Sequence, residues 1–307
     1  MTSNTSNKTL WGIDLGGTKI EGIVIDKEAP EKVLCRERIQ TEGDRGYEHV
    51  VNNICQLISK MQKLTGKTAE VIGMGTPGTL DPHSGKLRGC NSQHLNGKSM
   101  DRDLETVLDM PVILENDANC FALAEARLGA AKSDTPDAKV VFGVIMGTGV
   151  GGGLVVNGHL ISGANKIAGE WGHNHLDDSG GLCYCGKVGC VETVISGPAI
   201  ENYYFIQSGT KLPLEEISRL SESGDSHAQI TMKRLCHFFG KGIAGIVNVI
   251  DPDVIVIGGG VGNVDSLYSE GLNEVSKHVF TPTLKTRIVK PALGDSAGVF
   301  GAALLVR

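Results

Sequence analysis

Apolar residues along this chain follow two rhythms. In "TLWGIDLGGTKIEGIVID" (9–26), two apolar runs meet at Gly16–Gly17. Such runs, bounded by glycine and closely spaced, predict a hairpin of two strands. "KVLCRERIQ" (32–40) predicts a third strand. Residues 46–64 place apolar side chains at 50, 51, 54, 57, 58, 61 and 64, the spacing of an amphipathic helix. "EVIGMGTPG" (70–78) reads as a strand ending in a Pro-Gly loop. "PVILENDANCFALAEARLG" (111–129) reads as a short strand entering a helix that starts at Asn116 or Asp117.

The plan then repeats. "AKVVFGVIMGTGVGGGLVVNG" (138–158) is again strand, glycine turn, strand. Residues 226–248 predict a long helix that reaches the buried strand "DVIVIGGG" (253–260) through Asp251-Pro252. Residues 264–279 predict another helix, and "DSAGVFGAALLV" (295–306) a closing one capped by Asp295 or Ser296. Strands alternating with helices indicate an α/β protein. The repeated hairpins suggest two related halves with a cleft between them. A smaller N-terminal α/β domain (1–117), joined by the C-terminal helix 295–307, and a larger α/β domain (118–294) with the cysteine-rich segment are expected. The boundary is soft across 117–135, where "AAKSDTPDA" resembles a surface loop.

With 307 residues, 40% of them hydrophobic and 21% charged, the chain has the proportions of a soluble protein. A net charge of −6 and the lack of a basic block argue against a nucleic-acid partner. No apolar run reaches the ~18 residues of a membrane span. "MTSNTSNK" lacks the apolar segment of a secretory signal. Cys35, Cys55, Cys90, Cys120 and Cys236 are scattered, as expected for reduced thiols in a cytoplasmic protein.

Three glycine turns could carry phosphate or nucleoside chemistry. In "DLGGTK" (14–19), Gly16 and Gly17 let backbone N–H groups close around phosphate oxygens. Thr18 adds a hydroxyl and Lys19 a charge, and Asp14 can hold Mg2+ directly or through water. The spacing is not that of a Walker loop. "GTGVGGG" (147–153) formally matches the dinucleotide fingerprint, but a β-branched run follows where that fold needs a helix. A second phosphate hairpin using Gly147, Thr148 and Gly149 is the more coherent reading. In "IGGGVGN" (257–263), Gly258, Gly259 and Gly260 follow a buried strand and would let a flat nucleoside lie against backbone.

Asp117 stands where a strand gives way to a helix and could accept a proton from a bound hydroxyl, although an isolated Asp there is commonly a cap. Cys183, Cys185 and Cys190 make a C-x-C-x4-C set, and three thiolates with one imidazole complete a closed, structural Zn2+ site. His173 and His175 are both available as the fourth ligand.

Together these segments resemble the ROK family (repressors, open reading frames, kinases). "GIDLGGTK", "GMGTPG", "ENDANC", "GTGVGGG", "GEWGH", "CYCGKVGCVE", "DPDVIVIGGG" and "GDSAGVFGAA" occur in order over nearly the whole chain. The resemblance implies an actin-like, ribonuclease-H-like two-domain fold with an inter-domain cleft, and phosphorylation of a hexose by MgATP. It implies Asp117 as general base. Gly78, Asn91, Asn116, Asp117, Glu170, His173 and Glu192 fall at sugar-binding positions. His173, Cys183, Cys185 and Cys190 fall at zinc positions, with His173 shared between sugar and metal. It also implies a homodimer.

A repressor of this family carries a DNA-binding domain, for which a first strand near residue 10 leaves no room. "NSQHLNG" (91–97) and "AGEWGHN" (168–174) most resemble the fructokinase/mannokinase branch, which points to fructose and fructose 6-phosphate. Glucose and N-acetylglucosamine stand next. His94 departs from the aromatic residue of that branch, in a loop expected to line the pocket.

Overall fold

The computed structural model describes residues 8–307; Met1–Asn7, most of the stretch read above as too polar for a secretory signal, lie outside the described residues. The chain divides into two compact units. One takes the sequence up to Gly129, then Leu160–Ala168 and Leu293–Arg307. The other takes Ala130–His159 and Gly169–Ala292. The break therefore falls after Gly129 rather than after residue 117, and the units are nearly equal in length. No helix among the described residues is long and apolar enough to cross a membrane.

The first unit opens with β1 (Thr9–Leu15), β2 (Lys19–Asp26) and β3 (Val33–Gln40), followed by α1 (Tyr47–Thr65) and β4 (Ile72–Thr76). A two-stranded pair, β5 (Thr79–Leu80) and β6 (Leu87–Arg88), precedes α2 (Met100–Leu108), β7 (Val112–Asn116) and α3 (Asp117–Arg127). The sheet order is β3-β2-β1-β4-β7. β1 and β2 form the expected hairpin, whereas β1, β4 and β7 run parallel. Apolar residues of α1, among them Val50, Ile54, Leu57, Ile58 and Met61, join the core around Trp11, Ile13 and Ile20.

In the second unit, the first half of the expected surface loop is helical. Ala130 and Ala131 are buried and begin α4 (Ala130–Asp134). Then come β8 (Val140–Met146), β9 (Val150–Val156), β10 (His159–Ile161), α5 (Val191–Ile195), α6 (Gly197–Ser208) and α7 (Leu214–Glu222). α8 (Ser226–Ile250), β11 (Val254–Gly258), α9 (Glu270–His278) and β12 (Arg287–Val289) complete it. Asp225 caps α8 by accepting from the Ala228 N–H at 2.8 Å, and Asp251 ends it in the left-handed region, φ 43°. The helix expected over 264–279 is split: a 3-10 turn, Asp265–Tyr268, precedes α9. The sheet order β10-β9-β8-β11-β12 repeats that of the first unit, an antiparallel hairpin extended by parallel strands. Its own core gathers Phe142, Trp171, Phe239 and Ile257.

The last helix, α10 (Ala297–Leu304), belongs to the first unit. A Cβ at Gly12 would collide with the Ala303 backbone, and one at Gly73 with the Ala302 carbonyl. Gly301 likewise meets the Cys120 backbone, which ties α3 to α10 and keeps α3 in this unit. Ser296 stands at the cap position but makes no capping bond; its Oγ accepts from Arg36 instead. Asp295 lies in the preceding 3-10 turn.

Candidate functional site

Parallel pairing aligns the carboxyl ends of three neighbouring strands of the first unit. Asp14 of β1 stands opposite Gly75 of β4, and Thr76 of β4 opposite Asn116 of β7. Strand ends of this kind are where open α/β sheets bind ligands. Asn116 is the helix cap: its Oδ1 accepts from the Ala118 N–H at 2.9 Å. Asp117 is therefore the first residue of α3 and not its cap. Its Oδ1 accepts from the same N–H at 2.8 Å, which orients the carboxylate. Burial, and then the charges of Asp117 and Glu21, push the Asp14 carboxyl up to about 7. Asp14, Asp117 and Glu21 thus share one electrostatic neighbourhood. Asp14 also lies under α10, where a Cβ at Gly298 would stand 2.7 Å from its Oδ2.

The 16–19 turn is tight. Gly16 N–H donates to Lys19 O at 2.9 Å, and Thr41 Oγ1 donates to Gly16 O at 2.8 Å. Neither Gly16 nor Gly17 has positive φ. At Gly16 the missing side chain matters for space, since a Cβ would sit 3.0 Å from Lys19 O. An open cavity of about 630 Å3 borders Gly17 and Thr18, with Gln40, Glu42, Gly43, Asp44, Ser92 and His94. His94 faces the 43–45 turn: a Cβ at Gly43 would stand 2.7 Å from its Cε1. Gly78 packs on the backbone of residues 88–90, so the loop after β4 lies beside Cys90 and its neighbour Asn91. Asn96 fixes that loop by bonding both N–H and C=O of Cys90, at 2.9 and 3.0 Å.

In the second unit, the glycine hairpin has two parts with different jobs. A Cβ at Gly147 would meet nothing within 4 Å, so there is space over that residue, while its N–H donates to Gly149 O at 2.9 Å and closes the turn. Gly149 and Val150 instead abut Glu192, whose Oε2 accepts from the Val150 N–H at 2.9 Å. Gly152 provides a seat: a side chain there would clash with Trp171 and with Gly169, which has φ 93° and whose own Cβ would stand 3.0 Å from the Gly153 Cα. Trp171 locks in by donating Nε1–H to Gly151 O at 3.0 Å. Only residues 147–149 of the motif are therefore available as a phosphate turn. Gly197 N–H donates to Gly147 O at 2.8 Å. The 258–260 turn ends β11 beside β8, with Gly259 (φ 81°) pressed on the Met146 carbonyl and Gly260 open.

His173, Cys183, Cys185 and Cys190 each offer one ligand atom, all within 4.8 Å of one another. His173 Nδ1 lies 3.6 Å from Cys183 Sγ, and the Cys185 and Cys190 sulfurs are 3.6 Å apart. Ligands ~2.3 Å (S) and ~2.0 Å (N) from a tetrahedral Zn2+ would be separated by similar distances. The donor set therefore fits structural zinc. His175 is turned away, its Nε2 lying 2.9 Å from Asp178 Oδ1. The other ring nitrogen of His173, Nε2, lies 3.0 Å from the Tyr184 hydroxyl. Burial first, then the charges of Glu192 and Glu170, push that phenol up to about 12. Tyr184 thus touches His173 and feels the charges of Glu192 and Glu170.

Residues 10–307 match the ROK family. The chain belongs to the ROK family. It is similar to the N-acetyl-D-glucosamine kinase of Photobacterium profundum, 36% identical over 305 residues, covering 96% of this chain and 98% of the relative. The N-acetyl-D-glucosamine kinase of Vibrio cholerae is 38% identical with the same coverage. Among solved structures, the ROK hexokinase from Thermus thermophilus superposes with a TM-score of 0.85 at 34% identity, covering 96% of this chain and 97% of that one. A ROK family glucokinase from Streptomyces griseus, in complex with glucose and AMPPNP, gives 0.78 at 26%, covering 97% and 98%. The fold of this ROK chain is accordingly the actin-like α/β fold that its motifs implied.

Two features escaped sequence reasoning. Tyr184 lies inside the "CYC" run, yet spacing says nothing of which way it points. Glu115, buried, sits one residue before Asn116. Its Oε1 accepts from Ser162 Oγ at 2.6 Å and Lys166 Nζ at 3.4 Å, and its Oε2 from Asn119 at 2.9 Å. It anchors the returning 160–168 segment beside the end of β7.

Proposed function

We propose that this ROK protein is an ATP-dependent sugar kinase that phosphorylates the 6-hydroxyl of N-acetyl-D-glucosamine. The observation that carries the kinase reading is the place of Asp117: at the carboxyl end of β7 it begins α3, its carboxylate oriented by the Ala118 N–H, where a base for a sugar hydroxyl is needed. Asn116 and Asn91 supply amide groups to sugar hydroxyls, and Glu170, Glu192 and His173 supply acceptors and an imidazole. Gly78 shapes the neighbouring loop.

Bound MgATP brings the transferable phosphoryl group, and its cation neutralises charge during transfer. The space over Gly147 and Gly260, with Thr148, Gly149, Gly258 and Gly259, suits the nucleotide. So does the Gly16–Lys19 turn, with Asp14 toward Mg2+. The chain's own task is to orient the acceptor hydroxyl, take its proton at Asp117, and keep phosphate oxygens on backbone N–H groups. Zn2+ held by His173, Cys183, Cys185 and Cys190 braces the turn that carries Glu170 and His173.

For the sugar, the support lies in relatives at 34–38% identity across 96% of the chain, named N-acetyl-D-glucosamine kinase. The fructose reading rests on "NSQHLNG" and "AGEWGHN", and His94, which turns onto Gly43, is its departure from the fructokinase pattern. A coupled assay of ADP release with N-acetylglucosamine, glucose, mannose and fructose decides between them. N-acetylglucosamine is expected to give the highest kcat/KM. A fructose preference overturns the sugar assignment, and no sugar-dependent ADP release overturns the kinase reading.

A further inference from the structure

A second group of metal-type donors converges away from the residues placed above. His237 on α8, and Glu274 and His278 on α9, each offer one ligand atom, all within 4.8 Å of one another. His237 Nδ1 and Glu274 Oε2 are 3.3 Å apart, and the two imidazole centroids are 6.0 Å apart at 72°.

The backbone that sets this arrangement is fixed by contacts outside the donor set. Gly240 lies one turn after His237 on the same face of α8. A side chain there would collide with the Cβ of Glu274, so the helices meet at close range. Gly271 packs against Phe239 one turn earlier on α9, with 3.0 Å between its would-be Cβ and the ring. The end of α9 is pinned by Asn248, which donates to His278 O at 3.1 Å and accepts from Phe280 N–H at 2.8 Å. His278 follows Glu274 by one turn, and helical side chains tilt back toward the N-terminus, bringing its ring over the carboxylate. The two oxygens of Glu274 are divided: Oε1 accepts from Lys277 Nζ at 2.5 Å, while Oε2 faces His237. Lys277 can therefore stay paired while Oε2 serves another partner. The group is open to solvent, with the His237 side chain 47% exposed.

We propose that His237, Glu274 and His278 form a second divalent-cation site on this protein, taking Zn2+ or a similar borderline ion through two imidazoles and one carboxylate. Two nitrogens and an oxygen are a recurrent zinc set, and water completes the tetrahedron. Small rotations of exposed side chains bring the three atoms to ligand spacing. The bound ion cross-links α8 to α9. α8 also packs through Gly242 against Trp171, two residues from His173, so the ion would stiffen the helix beneath that turn.

The test is a titration of the full chain with Zn2+ alone against a competing indicator, repeated with Co2+ as a spectroscopic probe. His237→Gln and His278→Gln are each expected to bind one ion fewer than the unmodified protein, or to hold it at least ~10–100-fold more weakly, since even losing a group that merely supports a ligand costs that much. Co2+ at this site should give visible bands lacking thiolate-to-metal charge transfer, which sets it apart from the cysteine site. Glu274→Gln provides a third variant should either histidine variant melt differently in chelator. Equal ion counts and affinities in the unmodified protein and all folded variants overturn the proposal.

Discussion

Glu192 and Val150 are joined by a hydrogen bond of 2.9 Å, from a backbone N–H to a carboxylate that the sequence marked for sugar binding. The same oxygen would stand 2.5 Å from a Cβ added at Gly149. The carboxylate and the phosphate turn are therefore mechanically one object. Gly149→Ala should push Glu192 aside and raise KM for ATP and for sugar together. Misplacement by about 1 Å can cost ~10²-fold in rate. Glu192→Gln keeps an acceptor for the Val150 N–H, so it should impair sugar more than ATP. Steady-state kinetics with each substrate varied in turn checks both; unchanged constants in Gly149→Ala would refute the coupling.

Asp117→Asn retains an oxygen for the Ala118 N–H but cannot take a proton. kcat should fall ~10²–10⁴-fold, the usual contribution of general base catalysis. Nucleotide affinity, read by calorimetry, should stay within a few-fold. Near-normal turnover removes Asp117 from the chemistry.

Asp14 makes stability depend on pH in a stated direction. An Asp in the unfolded chain ionises near ~4, whereas in the fold this one ionises at about 7. Between these values the native state holds the extra proton. Stability present at low pH is thus lost as pH rises through about 7. Ligand-free Asp14→Asn should gain on the unmodified protein progressively as pH rises from ~4 to about 7, and so by more at pH 8 than at pH 5. The gain is bounded by about 4 kcal/mol, from ~1.4 kcal/mol per pH unit. Asp117→Asn, by removing the neighbouring charge, should shrink the same slope. A melting difference that is flat with pH contradicts this account.

Metal removal should act first on the sugar. His173 points Nδ1 at the cysteines and Nε2 at Tyr184, so losing the ion frees the ring that ties the two together. Chelation, or Cys185→Ser, should raise the sugar KM by more than the ATP KM. Metal analysis should show one tightly held zinc on the cysteine set. Full activity in metal-free protein would separate brace from pocket.

Gly73→Ala tests the packing of α10. The added methyl meets the Ala302 carbonyl, and overpacking of this kind costs ~1–3 kcal/mol. Thermal melting should fall accordingly, while Gly46→Ala, where nothing lies within 4 Å but φ is 93°, tests backbone strain alone.

What the sequence made legible was local. The hairpins at 9–26 and 138–158, α1 and α8 are written in apolar periodicity, and the glycine turns announce themselves. α6 writes no such stripe, since only Ile200 and Tyr204 are buried on it. The unit break after Gly129 falls inside the soft 117–135 stretch, and no local signal narrows it, since the contact that ties α3 to α10 comes from Gly301, far along the chain. The "GTGVGGG" run looked like one motif, yet only its neighbours in space divide it into a turn and a seat for Trp171. Glu115 with Ser162, and Glu192 with Val150, are likewise pairings across more than 40 residues. No spacing rule records them.

The docking of α10 also sets an order of events during synthesis. The bare faces of Gly12 and Gly73 are covered only by a helix that leaves the ribosome after every residue of the second unit. The half of the molecule made first is therefore the half finished last. Until then its central strands present an uncovered glycine surface, and a nascent chain stalled before residue 297 should be cut by protease between residues 9 and 129 while its second unit resists.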